Sequence, residues 1–141
     1  MNNSVQILLV DDDAVDREAI VRAFDESGIT NPIIMAGDGI EALAILRGSP
    51  GRAALQRPYM ILLDLSMPRM NGIEFLRELR EDPQLSDSLV LVLSTSNSDE
   101  DKIAAYGFNV AGYVTKAKAA EDFSLLARLL EVYWRLIELP A

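Results

Sequence analysis

At 141 residues, half of them hydrophobic, the chain has the length of one domain built on one sizeable core. Asp and Glu outnumber Lys and Arg by 22 to 13, and the net charge of −9 argues against a nucleic-acid surface and against an anionic membrane. With neither cysteine nor histidine, thiolate chemistry, disulfides and histidine-based catalysis or metal binding are excluded, which leaves carboxylates, hydroxyls and lysines. No basic region precedes the short apolar run of MNNSVQILLV and no stretch is long enough to span a membrane, so a cytoplasmic chain is expected.

Val5–Val10 is an apolar run too short for a helix and reads as a buried strand. Asp11, Asp12 and Asp13 follow at its end. Three adjacent carboxylates repel one another unless they are well solvated or share a cation, and hard oxygen ligands suit Mg²⁺ or Ca²⁺. One of them has a second use as a helix cap, because Val15, Ala19, Ile20, Ala23 and Phe24 recur at helical spacing and Gly28 is placed to end that helix. Pro32–Ala36 is the next apolar run, Gly37–Gly39 a turn, and Ile40–Leu46 a helix with Ala42, Leu43 and Leu46 inward. From Gly48 to Pro58 the composition turns to Gly, Ser, Pro, Arg and Gln, as expected of a mobile surface loop.

The stretch YMILLDLSMPRMNG, Tyr59–Gly72, organises the rest of the chain. Met60–Leu63 is continuous enough to be buried on both faces, as in a parallel sheet, and it stops at Asp64. An Asp at the carboxyl end of such a strand either caps a turn or faces the place where open α/β sheets bind ligands. A helix over Gly72–Glu81 ends before Pro83, which disfavours helix in the residue ahead of it. Leu89–Leu93 is another buried run, followed by Ser94, Thr95 and Ser96. Asp99, Glu100 and Asp101 are acidic first-turn residues of a short helix to Tyr106, with Gly107 at its end. A last strand, Val110–Thr115, leads into Lys116, and a final helix runs from Ala119 to Leu139. Five strands alternating with five helices read as a parallel α/β sheet covered on both faces.

Carboxylates after the first strand, Asp64 after the third, Ser94 and Thr95 after the fourth and Lys116 after the fifth would converge at one sheet edge. Together they describe phosphoryl transfer: a cation held by acids, a carboxylate nucleophile, a hydroxyl donor and a lysine to neutralise phosphoryl oxygens.

From ILLVDDD through LLDLSMPRMNG and LVLSTS to GYVTK, essentially the whole chain resembles the receiver domain of two-component response regulators. The resemblance implies a flavodoxin-like, doubly wound five-stranded parallel sheet of order 2-1-3-4-5 and one receiver domain, 1–141, without an output domain. It makes Asp64 the phosphoacceptor, Ser94 the hydroxyl and Lys116 the lysine, 30 and 22 residues apart as the family pattern expects. It makes Asp11 and Asp12 the acidic pair that, with Asp64 and the backbone carbonyl of Ser66, holds Mg²⁺ or Mn²⁺, and it places Tyr113 at the aromatic switch position. Two departures stand out: Ala117 follows the lysine where proline, often cis, is usual, and Ser94 stands where threonine is common. The LSTSN run and the Tyr133–Trp134 pair near the end of the last helix are similar to single-domain regulators that partner phytochrome-type histidine kinases, so a sensor histidine kinase, a bacteriophytochrome among the candidates, is the expected partner.

Two other readings compete. In a haloacid dehalogenase-like phosphatase, Asp11 would be the nucleophile and Asp13 the acid/base, which leaves Asp64 unexplained; a receiver-like adaptor would take no phosphate. The final helix adds an expectation about assembly. Phe123, Leu126, Leu130, Trp134 and Ile137 form one apolar row and Leu125, Leu129, Val132 and Leu136 a second. One row suffices to cover a sheet, so the second predicts a two-fold homodimer through this helix, the last strand and the fourth helix.

Overall fold

The computed structural model describes residues 5–119 and 123–139. Its strands are β1 (Gln6–Val10), β2 (Ile33–Ala36), β3 (Tyr59–Leu63), β4 (Leu89–Ser94) and β5 (Gly112–Thr115). Between and after them come α1 (Ala14–Glu26), α2 (Gly39–Arg47), α3 (Gly72–Glu81), α4 (Asp99–Gly107) and α5 (Ser124–Leu136). All four ladders are parallel and the sheet order is β2-β1-β3-β4-β5.

Alternation along the central strands divides the core in two. Leu8, Val10, Ile61, Leu63, Val90 and Val92 pack on the side of α2 and α3, with Phe75, Leu76 and Leu79. Ile7, Leu9, Met60, Leu62, Leu91 and Leu93 pack on the side of α1 and α5, with Phe24, Leu126, Leu130 and Trp134. Because both faces of β1, β3 and β4 are buried, their sequences read as unbroken apolar runs. Each fully buried aliphatic or aromatic side chain contributes about 1.5–3 kcal/mol.

Helix starts are set by side chains that satisfy otherwise unpartnered amides. Asp13 accepts from the amides of Val15 and Asp16, Asp38 from Glu41 and Ser98 from Asp101, while Asn71 and Glu74 form a reciprocal capping box on α3. Gly28, at φ 78°, follows α1 in the left-handed backbone that its position in sequence calls for. Beyond α3, the Arg80 guanidinium donates to the carbonyls of Ser86, Ser88, Phe108 and Asn109 and so ties the α3–β4 and α4–β5 connections together.

The final helix is shorter than its apolar period predicts. Ala119 lies in a turn, 120–122 fall outside the described residues, and α5 starts at Ser124 because Phe123 adopts a left-handed backbone (φ 60°) while its ring is buried. At the other end Ile137 is already extended and exposed, so the inner row stops at Trp134. Periodicity registers which face is apolar, and a left-handed residue interrupts the helix without changing that pattern. β5 likewise begins at Gly112, two residues later than the run from Val110 suggests. The 48–58 connection carries a tight turn, with Ser49 and Arg52 paired both ways at 2.9 Å, and is tied to α2 by the Leu55 amide on the Ile45 carbonyl. No helix among the described residues is long and apolar enough to cross a membrane.

Candidate functional site

The parallel ladders bring the carboxyl ends of β1, β3, β4 and β5 to one edge, where the expected residues meet. Asp11 follows Val10 and is buried; Asp64 follows Leu63, with 6% of its surface exposed. One carboxylate oxygen from each of Asp11, Asp12 and Asp64 lies within 4.8 Å of the others. Asp12 is exposed and open to solvent. Three hard oxygen donors so close fit a divalent cation such as Mg²⁺ or Mn²⁺, which would relieve their mutual repulsion.

Asp13 is not part of that cluster. Its carboxylate accepts from Val15 and Asp16 at the start of α1, at 2.9 and 3.2 Å, while its own amide donates to Asp11 Oδ1 at 2.9 Å. Spent on capping, Asp13 is removed from the acid/base role that the phosphatase reading requires.

Lys116 reaches back over the cleft from the end of β5. Its Nζ lies 3.0 Å from Asp11 Oδ2, 2.5 Å from Asp16 Oδ2 and 3.7 Å from Asp64 Oδ2. Burial works against its charge, but hydrogen bonds to Asp16 and Asp11 and the field of Asp64 outweigh it, and its pKa rises. For the acids burial wins. Asp64 is pushed up to about 6, chiefly by desolvation, with Lys116 and the Ser66 amide opposing and Asp11 and Asp12 reinforcing the shift. Asp11 is raised too, by burial that outweighs the Asp13 amide and Lys116.

Ser94 closes β4 and is fully buried, whereas Thr95 beside it is exposed. Ser94 Oγ accepts from the Ser96 amide at 3.1 Å, and the Lys116 amide donates to the Ser94 carbonyl at 2.8 Å. Tyr113, half-buried on β5, donates its hydroxyl to the Ser96 carbonyl at 2.9 Å. Ser66 is exposed on the β3–α3 loop, and its amide donates to Asp64 Oδ1 at 3.3 Å. The peptide bond after Lys116 is trans; among the described residues the cis bond is Arg57–Pro58.

That loop is held by contacts the sequence did not reveal. Gly72 packs so closely that a Cβ would lie 2.6 Å from Leu65 Cα and 2.7 Å from the Asp64 carbonyl. Arg69, in left-handed backbone at φ 61°, pairs with the buried Asp38 across the cleft, its Nε at 2.7 Å. Burial would raise Asp38, but the Glu41 amide and Arg69 bring it below the usual carboxylate range. Asp16 and Asp38 were not singled out from the sequence, since their partners lie 100 and 31 residues away.

Exposure on α5 follows the two-row pattern. Leu126, Leu130 and Trp134 are buried, while Leu125, Leu129, Val132 and Leu136 are 48–76% exposed. A groove of about 750 Å³ runs beside them, lined also by Tyr106 and Tyr113.

A parallel sheet of order 2-1-3-4-5, with an acidic cluster and a lysine gathered at its carboxyl edge, defines the receiver class of doubly wound α/β proteins. The chain belongs to the response regulator receiver domain family, matched over residues 7–128. It is 35% identical over 136 residues to response regulator Rcp1 of Synechocystis, covering 96% of this chain and 92% of Rcp1. Among solved structures it is similar to the phosphorylated cyanobacterial phytochrome response regulator RcpA, with a TM-score of 0.82 and 35% identity over 97% of this chain and 99% of RcpA. It is also similar to the Mn²⁺-bound form of Rcp1, with a TM-score of 0.85 and 34% identity over 97% and 99% of the two chains.

Proposed function

We propose that this receiver accepts a phosphoryl group from a sensor histidine kinase onto Asp64 and signals through protein contacts. The observation that carries this reading is the placement of Asp64 beside Asp11, Asp12 and Lys116 at the carboxyl edge of the sheet. Burial raises the Asp64 carboxyl to about 6, and a cation shared with Asp11 and Asp12 would favour the ionised, nucleophilic form. An Asp64 Oδ attacks phosphorus in line, the bond from phosphorus to the kinase imidazole breaks with its electron pair going to nitrogen, and an acyl phosphate results. Lys116 neutralises charge developing on the phosphoryl oxygens. A Mg²⁺ or Mn²⁺ held by Asp11, Asp12, Asp64 and the Ser66 carbonyl would supply further electrostatic stabilisation there. The same groups, with water as the nucleophile, serve the chain's own dephosphorylation.

Ser94 connects the site to the surface. Its hydroxyl, which accepts from the Ser96 amide, keeps its own proton to donate to a phosphoryl oxygen, and a pull on Ser94 is passed to Ser96, the residue whose carbonyl holds Tyr113. Tyr113 is therefore the switch by which phosphorylation reaches the groove beside α5. The exposed row Leu125, Leu129, Val132 and Leu136 is the interface of a homodimer, since an apolar stripe of this kind on a water-facing helix is the usual mark of a contact. Similarity to the phytochrome regulator RcpA supports a bacteriophytochrome as the kinase, and the net charge of −9 argues against binding to nucleic acid or to an anionic membrane.

Treatment with acetyl phosphate and Mg²⁺, followed by mass spectrometry, tests the reading: Asp64 gains the phosphoryl group and Asp64→Asn gains none. Phosphorylation that persists in Asp64→Asn and disappears in Asp11→Asn would restore the phosphatase reading.

A further inference from the structure

The first turn of α1 is fixed on the cleft from two sides. Asp13 caps it through the Val15 and Asp16 amides, and the Arg17 Nη1 donates to the Asp11 carbonyl at 2.5 Å. The Asp16 side chain, only about a quarter exposed, is thereby aimed at Lys116. A first-turn acid gains from the helix dipole wherever it points, but that gain does not require a contact with a residue 100 positions on. The contact is the shortest that Lys116 makes, at 2.5 Å, while Asp64 stands at 3.7 Å, beyond hydrogen-bonding distance.

An ammonium has three N–H groups. Here two point to Asp16 and Asp11, and neither points to the residue it is needed beside. A cation bound by Asp11 would draw on that carboxylate's electrons, leaving Asp16 as the main competitor for Lys116. We propose that Asp16 is a positioning residue that holds the Lys116 ammonium off Asp64 in the unphosphorylated protein and competes with the phosphoryl group for it. The inference rests on the phosphoacceptor reading of Asp64 and adds a restraint to it: uptake of the phosphoryl group includes transfer of the lysine from Asp16 to a phosphoryl oxygen.

Trifluoroberyllate on a carboxylate has the charge and tetrahedral shape of an acyl phosphate, so beryllium fluoride in the presence of Mg²⁺ is a suitable probe. Titration followed by ¹⁹F NMR is expected to show Asp16→Asn and Asp16→Ala binding the probe about three- to fivefold more tightly than wild type, the range of a partly exposed ion pair. Asp13→Asn removes an equal charge from the same turn and keeps the helix cap, and it should change the affinity less than twofold. In the absence of probe and metal, both Asp16 variants should melt below wild type, because the ion pair is lost from the resting state. Equal or weaker probe binding by the Asp16 variants, or an equal gain in Asp13→Asn, would overturn the restraint. Failure of wild type to take up the probe, or uptake that survives Asp64→Asn, would instead overturn the phosphoacceptor reading and the restraint with it.

Discussion

Replacing Asp64 by Asn should make the metal-free protein more stable at neutral pH. Burial beside Asp11 and Asp12 moves the Asp64 pKa from an ordinary 3.8 to about 6. The folded state therefore binds the proton more tightly than the unfolded state, and stability falls as pH rises through the interval between those two values. A shift of roughly two units at 1.36 kcal/mol each corresponds to about 3 kcal/mol of strain once Asp64 is ionised. Asn keeps the shape and carries no charge, and the attraction of Lys116 at 3.7 Å is already contained in the net shift. The net gain expected for Asp64→Asn is about 1–3 kcal/mol at pH 7.5 in EDTA. The assay is urea denaturation of both proteins from pH 4 to pH 8, read as a difference so that other carboxylates cancel. The gap should close toward pH 4, where Asp64 is largely protonated in the folded state. Mg²⁺ should narrow or reverse it at neutral pH, since metal at a hundredfold excess over its Kd adds about 2.7 kcal/mol to a protein that binds it. A variant less stable than wild type in EDTA at pH 7.5, or a gap independent of pH, would refute the claim that Asp64 is held at electrostatic cost.

Asp12→Ala should weaken Mg²⁺ binding in calorimetry more than Asp13→Ala, since Asp12 belongs to the carboxylate cluster and Asp13 caps α1; Asp13→Ala should instead cost about 1 kcal/mol of stability. Gly72→Ala should destabilise the fold by about 1–3 kcal/mol, because the new methyl meets backbone atoms of Asp64 and Leu65 that cannot move without disturbing the site; a melting temperature and a metal affinity both equal to wild type would contradict this packing. In sedimentation equilibrium at tens of micromolar, wild type should be dimeric, while Leu129→Glu and Leu136→Glu remain folded and monomeric, both positions being exposed on α5. A monomeric wild type, or variants that unfold, would count against the homodimer.

Local chemistry made much of this protein legible from its residues in order. β1, β3 and β4 are buried on both faces and read as unbroken apolar runs; Pro83 marks the end of α3 because proline sterics act on the residue just ahead of it. The convergence of Asp11, Asp64 and Lys116 was also legible, because parallel strands deliver their carboxyl ends to one edge whatever their order. Tertiary structure alone decided the contacts between chain segments far apart in sequence. Lys116 is nearer to Asp16 than to Asp64, Asp38 is paired with Arg69, and Arg80 gathers carbonyls from two connections. Sequence spacing carries no record of such pairings, since each partner alone is an ordinary helix-start acid or surface cation. Phe123 belongs to the same class: its buried ring fits the apolar row, while the left-handed backbone that delays α5 runs against the ordinary preference of a bulky residue.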